Sequence, residues 1–293
     1  MKKKLVILGG GESGIGAAIL GAAKGFDVFL SDNGFIPAAN KQILQERNIA
    51  FEEARHSEAL LLDADEVVKS PGIPDNAPLV LKMLEKKIPV ISEIEFALQF
   101  TKAKVIGITG TNGKTTTTLL TYHLLKESGF DVALTGNVGH SLARQVAEDD
   151  KQWYVVELSS YQLDGMYKSK LHIAVLLNIT PDHLNRYEYK FENYVKSKFR
   201  IIRNMRKEDY FIYNTDDGAI SGHLQHVQSH VKMLPVSLGK SENTAAYLAD
   251  KYLIFNQGEK LHKLYREYIP IRGKHNMLNT IAAVHAALAA GAS

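Results

Sequence analysis

Cysteine is absent from the 293 residues, so neither a disulfide framework nor thiolate chemistry is open to this chain, and a reducing compartment suits it. No apolar run approaches the roughly 18 residues of a membrane span. The opening "MKKKLVILGG" offers three lysines and then four strongly apolar residues, short of the roughly 7–15 that a secretory signal needs. A buried first strand with a basic lead-in accounts for it. Charge of one sign is also scarce: a formal net charge of +3 supplies no field to draw in nucleic acid. These absences point to the cytoplasm, with neither a membrane nor nucleic acid as partner.

What is present is ordinary globular material. With 45% hydrophobic and 23% charged residues, the chain can fill two cores, in keeping with a prior of about two domains for its length. Short apolar runs alternate with helix-length segments, which predicts βαβ units and a mainly parallel sheet. Strands are expected at Lys4–Leu8, Val28–Leu30, Glu66–Lys69 and Val90–Ile91, with helices near 14–24, 38–47 and, after the turn "SPGIPDNAP", 77–86. Residues 1–92 then form a Rossmann-like parallel-sheet domain. A helix "SEIEFALQF" follows, with Ser92 and Glu95 at capping-box spacing.

From residue 93 to 293 a second α/β domain of P-loop type is expected, with a small antiparallel β addition. Its strands fit Lys104–Thr109, Asp131–Leu134, Trp153–Leu158, Leu171–Leu177 and Tyr210–Tyr213, with an amphipathic segment "FENYVKSKFRIIRNM" before the last. Between 246 and 272 short antiparallel strands turn at "NQG", and "HNMLNTIAAVHAALAAG" forms a final helix.

"LVILGGGESGIGAAIL" places Gly9, Gly11 and Gly14 in G-x-G-x-x-G spacing between a strand and a helix. Small residues there let backbone approach a pyrophosphate at a helix N-terminus. The next strand ends in Asp32, a position suited to a ribose or a base. A tight turn without ligand, or a nicotinamide-dinucleotide module, satisfies the same residues.

"GITGTNGKTT" is a second loop of this kind. Gly113, Lys114 and Thr115 fit the end of G-x-x-x-x-G-K-[ST], but the first glycine of that pattern falls on Ile108. The physical requirements remain met: backbone N–H groups for anions, a lysine for the β/γ-phosphates and a hydroxyl for Mg²⁺. "WYVVELSSYQLD" puts Glu157 at a strand end, able to hold Mg²⁺ opposite the loop or to cap the following turn. "VLLNITPDHLNRY" gathers Asn178, Asp182, His183 and Arg186 at another. Lys198 and Lys196 are, by spacing alone, cations on a solvated helix face.

"GITGTNGKTT" resembles the ATP loop of the Mur ligase family, the amide-forming enzymes of peptidoglycan precursor synthesis, whose own loop is G-T-N-G-K-[ST]-[ST]. "ELSSYQL", "TGNVG", "NITPDHLNRY", "GGGESG", "SPGI" and "SEIE" extend the resemblance across the chain, closest to the branch that adds D-glutamate to UDP-N-acetylmuramoyl-L-alanine. The resemblance implies ATP at Gly110, Thr111, Asn112, Gly113, Lys114, Thr115 and Thr116, with Asn276 and Asn279 near the adenine. It implies the UDP-sugar at Gly11, Glu12, Ser13, Gly14, Asp32, Asn33, Ser70, Asn137 and His183. Glu12, a carboxylate beside phosphate, should bind through its backbone. Two Mg²⁺ ions are implied, one on Thr115 and Glu157, the other on His183 and Lys198. That lysine corresponds to one carbamylated by CO₂ in the family's Y-x-x-x-K helix, and register alone prefers it to Lys196. Lys114, His183 and Lys198 are the implied catalytic residues.

The implied partners are UDP-N-acetylmuramoyl-L-alanine, ATP and D-glutamate, in a monomer. Family members have a third, amino-acid-binding domain, and the sequence ends at Ser293, about where their second domain closes. A fragment that binds the UDP-substrate without completing ligation is therefore expected. Rival readings are a folylpolyglutamate synthase-like ligase, which leaves the first glycine loop unexplained, and a catalytically silent structural protein.

Overall fold

The computed structural model describes residues 2–227, 230–258, 260–269 and 271–293. The chain divides into two compact units. The first comprises Met1–Lys102, Thr135–Asp150 and Tyr161–Ser169; the second comprises Ala103–Leu134, Lys151–Ser160 and Lys170–Ser293.

In the first unit β1 (Lys4–Leu8), α1 (Glu12–Ala23), β2 (Asp27–Ser31), α2 (Ala38–Glu46), β3 (Ala50–Glu52), α3 (Glu58–Leu61), β4 (Glu66–Lys69), α4 (Pro78–Glu85), β5 (Val90–Ile91) and α5 (Glu93–Leu98) follow in order. The five strands form a parallel sheet of order β3-β2-β1-β4-β5. Leu5, Val6, Ile7 and Leu8 are all buried, as a strand covered on both faces requires. β1 is therefore central, and its carboxyl end delivers the first glycine loop into the middle of the sheet edge. The three-residue β3 and the four-residue α3 are additions to the sequence reading; both are too short to show a period.

Ser92 caps α5 as expected, its Oγ accepting from the Glu95 N–H at 3.2 Å. The return half of the capping box is not made. The Glu95 carboxylate instead accepts from the backbone of Lys168 (2.9 Å) and Ser169 (3.1 Å), while the Ser92 N–H donates to the Gly165 carbonyl.

The chain continues through β6 (Lys104–Thr109), α6 (Lys114–Glu127), β7 (Val132–Gly136), α7 (Leu142–Glu148), β8 (Trp153–Glu157), α8 (Ser160–Asp164), β9 (Ile173–Leu176), α9 (Phe191–Phe199), β10 (Tyr210–Asn214), α10 (Gly218–Leu224), β11 (Lys232–Val236), β12 (Ala246–Ala249), β13 (Tyr252–Gln257), β14 (Lys260–Tyr265) and α11 (Lys274–Ala290). The second sheet has the order β14-β13-β12-β11-β10-β9-β6-β8-β7. It is parallel from β8 through β12, while β12, β13 and β14 pair antiparallel. Each unit thus takes the fold class read from the sequence.

α7 belongs to the first unit, where it packs closely on α1. A Cβ on Gly16 would lie 1.7 Å from the Ser141 Oγ and 3.0 Å from the Arg144 backbone nitrogen. β11 was not anticipated, because exposed Lys232 and Met233 and the internal Pro235 obscure its pattern. The hairpin turn falls later than "NQG": Asn256 and Gln257 are the last residues of β13 and pair with Leu261 and Lys260. Of the turn, residue 259 lies outside the described residues. α11 packs on the second sheet through Met277, Leu278, Ile281, Ala282 and Ala286, all buried with Ile106, Ile108, Val175 and Ile212.

Candidate functional site

In the first unit the chain leaves β1 through Gly9, whose φ of +99° lies in the region that favours glycine. A Cβ on Gly14 would stand 1.9 Å from the Gly9 carbonyl oxygen, so only glycine lets α1 begin this close to the strand. At Gly11 a Cβ would meet nothing within 4 Å; here the loop faces open space. Asp32, at the end of β2, accepts from the Gly10 N–H at 2.6 Å and the Gly34 N–H at 2.7 Å. Its carboxylate thereby ties together two segments of the site.

A cavity of about 590 Å³ opens here, lined by Gly9, Gly11, Asp32, Asn33 and Ser70 over an apolar floor that includes Ile73, Pro78, Leu79 and Val80. The Ser70 Oγ is buried and has no hydrogen-bond partner among the described residues, which leaves it open to one from a ligand or water. Glu12, Ser13 and Gly14 form the first turn of α1. The Glu12 carboxylate accepts from the Ser141 N–H at 3.2 Å and lies 4.0 Å from Arg144, engaged with the start of α7. Asn137 is exposed on the loop after β7 and does not line this cavity.

In the second unit the loop after β6 is held by a reciprocal amide clamp. The Asn112 N–H donates to the Asn178 side chain at 2.8 Å, and the Asn178 Nδ2 returns a bond to the Asn112 carbonyl at 2.9 Å. Gly113 caps α6 with a left-handed φ of +82°, and a Cβ there would lie 2.4 Å from the Asn279 Oδ1. Asn112, Gly113, Thr116, Asn276 and Asn279 share the lining of a second cavity, of about 640 Å³. The Lys114 Nζ folds back on the loop carbonyls of Gly110 (3.0 Å) and Thr111 (2.8 Å). Burial pushes its pKa below the usual lysine range, with Glu157 and Asp182 opposing.

The Thr115 Oγ1 donates to the buried Glu157 carboxylate at 2.7 Å. The two form a hard-oxygen pair beside the loop, a donor set suited to Mg²⁺, which needs one or two carboxylates and completes its shell with water and phosphate oxygens. Among the described residues no group of three or more His, Asp or Glu side chains converges to hold a metal ion. Lys198 is 2% exposed, with its Nζ 3.1 Å from the Thr109 Oγ1 and 3.0 Å from the Gly110 carbonyl. Lys196 is exposed and pairs with Glu192 at 2.8 Å. The helix therefore sends one lysine to the loop and the other to solvent. His183 has a left-handed φ of +50° and an exposed ring 3.5 Å from Asp182.

Several participants escaped the sequence reading. Asp217 accepts from the Ile179 N–H and caps α10, and Asp216 accepts from the Ser237 Oγ and the Leu238 N–H, so the "NTDD" pair organises the far wall of the second cavity. Paired acids after a strand were the available signal. His56, which lines the first cavity and bonds to the Ser31 Oγ at 2.7 Å, had none, being a single histidine in a loop.

Comparison with known proteins finds matches along most of the chain. Residues 108–287 match the Mur ligase middle domain and residues 4–78 the MurD N-terminal domain. The chain is 50% identical over 97% of its length to the UDP-N-acetylmuramoylalanine--D-glutamate ligase of Christiangramia forsetii, of which it covers 64%. It is 49% identical over 99% of its length to the Bacteroides fragilis enzyme of the same name, covering 65% of that protein. A solved UDP-N-acetylmuramate:L-alanyl-gamma-D-glutamyl-meso-diaminopimelate ligase from Neisseria meningitides superposes with a TM-score of 0.67 at 20% identity, covering 99% of this chain and 94% of that one. The last is a likeness of fold. The chain spans about two thirds of the length of the two D-glutamate ligases, at 64% and 65%.

Proposed function

The chain belongs to the Mur ligase family, and from that premise we propose that it serves ATP-dependent addition of D-glutamate to UDP-N-acetylmuramoyl-L-alanine, in the cytoplasm and as a monomer. The first unit, built on the sheet within residues 1–92, carries the UDP-substrate in this reading, and the second the ATP. The observation that carries the proposal is the pairing of two glycine loops with unlike surroundings. Each leaves the carboxyl end of an interior parallel strand, yet among the described residues only the second places a lysine and a hydroxyl–carboxylate pair beside its phosphate-type turn.

In the first cavity the N–H groups of Glu12, Ser13 and Gly14 meet the pyrophosphate, where the helix N-terminus favours negative charge. Asp32, Asn33 and Ser70 hold the uridine side, and Asn137, outside the cavity on the same unit, the muramoyl end. In the second cavity the backbone from Gly110 to Thr116 cradles the triphosphate, while Asn276 and Asn279 flank the adenine. Lys114 leaves its loop carbonyls for the β/γ-phosphates, exchanging two neutral acceptors for an anion.

The substrate carboxylate then attacks the γ-phosphorus of ATP, its oxygen forming the new bond as ADP departs. The amine of D-glutamate attacks the resulting acyl carbon, phosphate leaves with the bonding pair, and the amide forms as the nitrogen loses a proton. Positioning and charge neutralisation are the protein's share of such a transfer. Thr115 and Glu157 would hold one Mg²⁺, and His183 with carbamylated Lys198 a second, to offset the phosphoryl charge. Lys198 lies 3.0 Å from the Gly110 carbonyl, and as a carbamate it would supply an anionic oxygen to the second Mg²⁺.

Calorimetric titration with UDP-N-acetylmuramoyl-L-alanine, beside NAD⁺, tests the reading. Saturable binding of the UDP-sugar alone supports it. Binding of NAD⁺ alone would sink the assignment of the first cavity.

A further inference from the structure

The loop after β3 holds a buried hydrogen-bond chain that the phosphate chemistry leaves unused. The Ser31 Oγ, fully buried at the end of β2, lies 2.7 Å from the Glu52 Oε1, 2.7 Å from the His56 Nδ1 and 3.4 Å from the Arg55 carbonyl. Glu52 also accepts from the Ser57 N–H at 2.8 Å, the Ser57 hydroxyl at 2.6 Å and the Arg55 Nε at 3.2 Å. Burial alone would raise the Glu52 pKa, but the bonds from Ser57 and Ser31 and the Arg55 charge outweigh it and hold the carboxyl below the usual range. Glu52 is therefore an ionised acceptor without a proton to give.

The rest follows from counting protons. A serine hydroxyl has one hydrogen. Glu52 and the Arg55 carbonyl are both acceptors only, so that hydrogen is committed away from His56. The short Ser31–His56 contact is a hydrogen bond only if the His56 Nδ1 carries the proton. In the neutral ring this leaves Nε2 bare, an acceptor. With Nδ1 tied to a fully buried serine, the opposite edge of the ring belongs to the cavity that His56 lines together with Gly11, Asp32, Asn33 and Ser70.

We propose that His56 is a specificity-determining residue of the first cavity, fixed by Ser31 and Glu52 as the Nδ1–H tautomer so that its Nε2 accepts a hydrogen bond from the nucleoside of the bound ligand. The inference rests on the uridine-diphosphate reading of that cavity. Uridine offers two kinds of donor, the imide N–H of the base and the ribose hydroxyls. A cytosine ring has an acceptor where uracil has its imide N–H, so a contact at that atom discriminates between the two bases.

The tautomer is measured first, by ¹⁵N NMR of histidine-labelled protein, free and with UDP. A proton on Nδ1, an unprotonated Nε2, and an upfield move of the Nε2 resonance on UDP addition are expected. A proton on Nε2 in the free protein overturns the inference whatever the ligand. A calorimetric UDP isotherm without movement of Nε2 also overturns it, and leaves the uridine-diphosphate reading standing. Absence of UDP binding to the unaltered chain removes both.

His56→Phe keeps a ring in place and should weaken UDP about tenfold, the cost of removing one buried hydrogen bond. Repeating that comparison with 3-methyl-UDP and with 2′-deoxy-UDP identifies the donor, since the analogue lacking it shows no further loss from the substitution. An undiminished UDP affinity in His56→Phe contradicts the proposal.

Discussion

The two glycine loops begin alike, at the end of an interior parallel strand, and then use opposite means. Around the first, the polar side chains lining the cavity are Asp32, Asn33, His56, Glu58 and Ser70, with no lysine or arginine among the described lining residues. An anion there must rely on backbone N–H groups and the start of α1. Around the second, Lys114 and Lys198 both rest on the carbonyl of Gly110, with a carboxylate and a hydroxyl close by. In the proposed reading the first arrangement holds a phosphate without changing it, while the second sets cations and a carboxylate beside the phosphoryl group that is transferred. Glycine spacing reports only that backbone comes close to phosphate; the neighbouring side chains decide whether chemistry follows.

The contrast can be broken most severely at Gly14. Alanine there puts a methyl group 1.9 Å from the Gly9 carbonyl oxygen, and relief requires movement of the loop itself. We expect a loss of about 3 kcal/mol in the first unit, the top of the usual range for overpacking. UDP-sugar binding should disappear and ATP binding persist. Equal loss of both ligands by calorimetry would contradict the separation of the sites.

Acidification should pull the two units in opposite directions. Glu93, fully enclosed and bonded to the Ala143 N–H, is pushed up to about 7, chiefly by burial and further by Glu12. Its folded pKa is raised, so the associated stability is complete below about pH 4.5 and is lost as pH rises toward 7. His285, buried against Phe255 with no partner for its Nδ1 among the described residues, is pushed down to about 4 by burial and by His262. Its folded pKa is lowered, so its stability is complete above about pH 6.5 and is lost as pH falls toward 4. Each swing amounts to about 3 kcal/mol.

Hydrogen exchange at β1 and β6 should therefore show protection rising in one unit and falling in the other between pH 7 and 5. The single tryptophan, Trp153, reports the second unit by fluorescence. Glu93→Gln should flatten the first trend and His285→Leu the second. Parallel trends in the unaltered protein would count against both assignments.

The smallest of these effects sharpens the comparison at one side chain. Lys114→Ala should weaken ATP by about 2 kcal/mol, near 30-fold, the value of a hydrogen bond to a charged group. UDP affinity should stay unchanged, and thermal stability should fall little, since the ammonium bonds only to its own loop. A comparable loss of UDP affinity would show that the lysine serves both ligands.

Much of this was legible in the sequence because it depends on local spacing. β1, β4, β5 and β6 span the segments expected from their apolar runs, and the glycine loops follow β1 and β6. Lys196 and Lys198 show where legibility stops. They are two residues apart on an amphipathic helix, and only the tertiary fold sends one beneath the loop and the other to Glu192. The Ser31–Glu52–His56 chain was invisible for a related reason. Ser31 and Glu52 are 21 positions apart, joined by the parallel pairing of β2 with β3, a strand too short to announce itself. Glu95 had the right spacing for a capping box, but two backbone donors from a distant segment claimed its carboxylate.

The interrupted course of the first unit has a consequence for synthesis. Its parallel sheet is complete in the sequence by Ile91, yet the helix that covers α1, and the backbone that satisfies Glu95, come from residues 135–150 and 161–169. A growing chain halted after Lys102 has every strand of that sheet and still leaves α1 uncovered at Gly16, where Ser141 and Arg144 belong. The ribosome must first deliver β6 and α6, whose own sheet waits on partners farther along: Val105 bonds to His172, 67 residues away. Neither unit can finish before part of the other has emerged. We therefore expect nascent chains of intermediate length to be the most protease-sensitive, with resistance appearing late and in both units within a short interval of elongation.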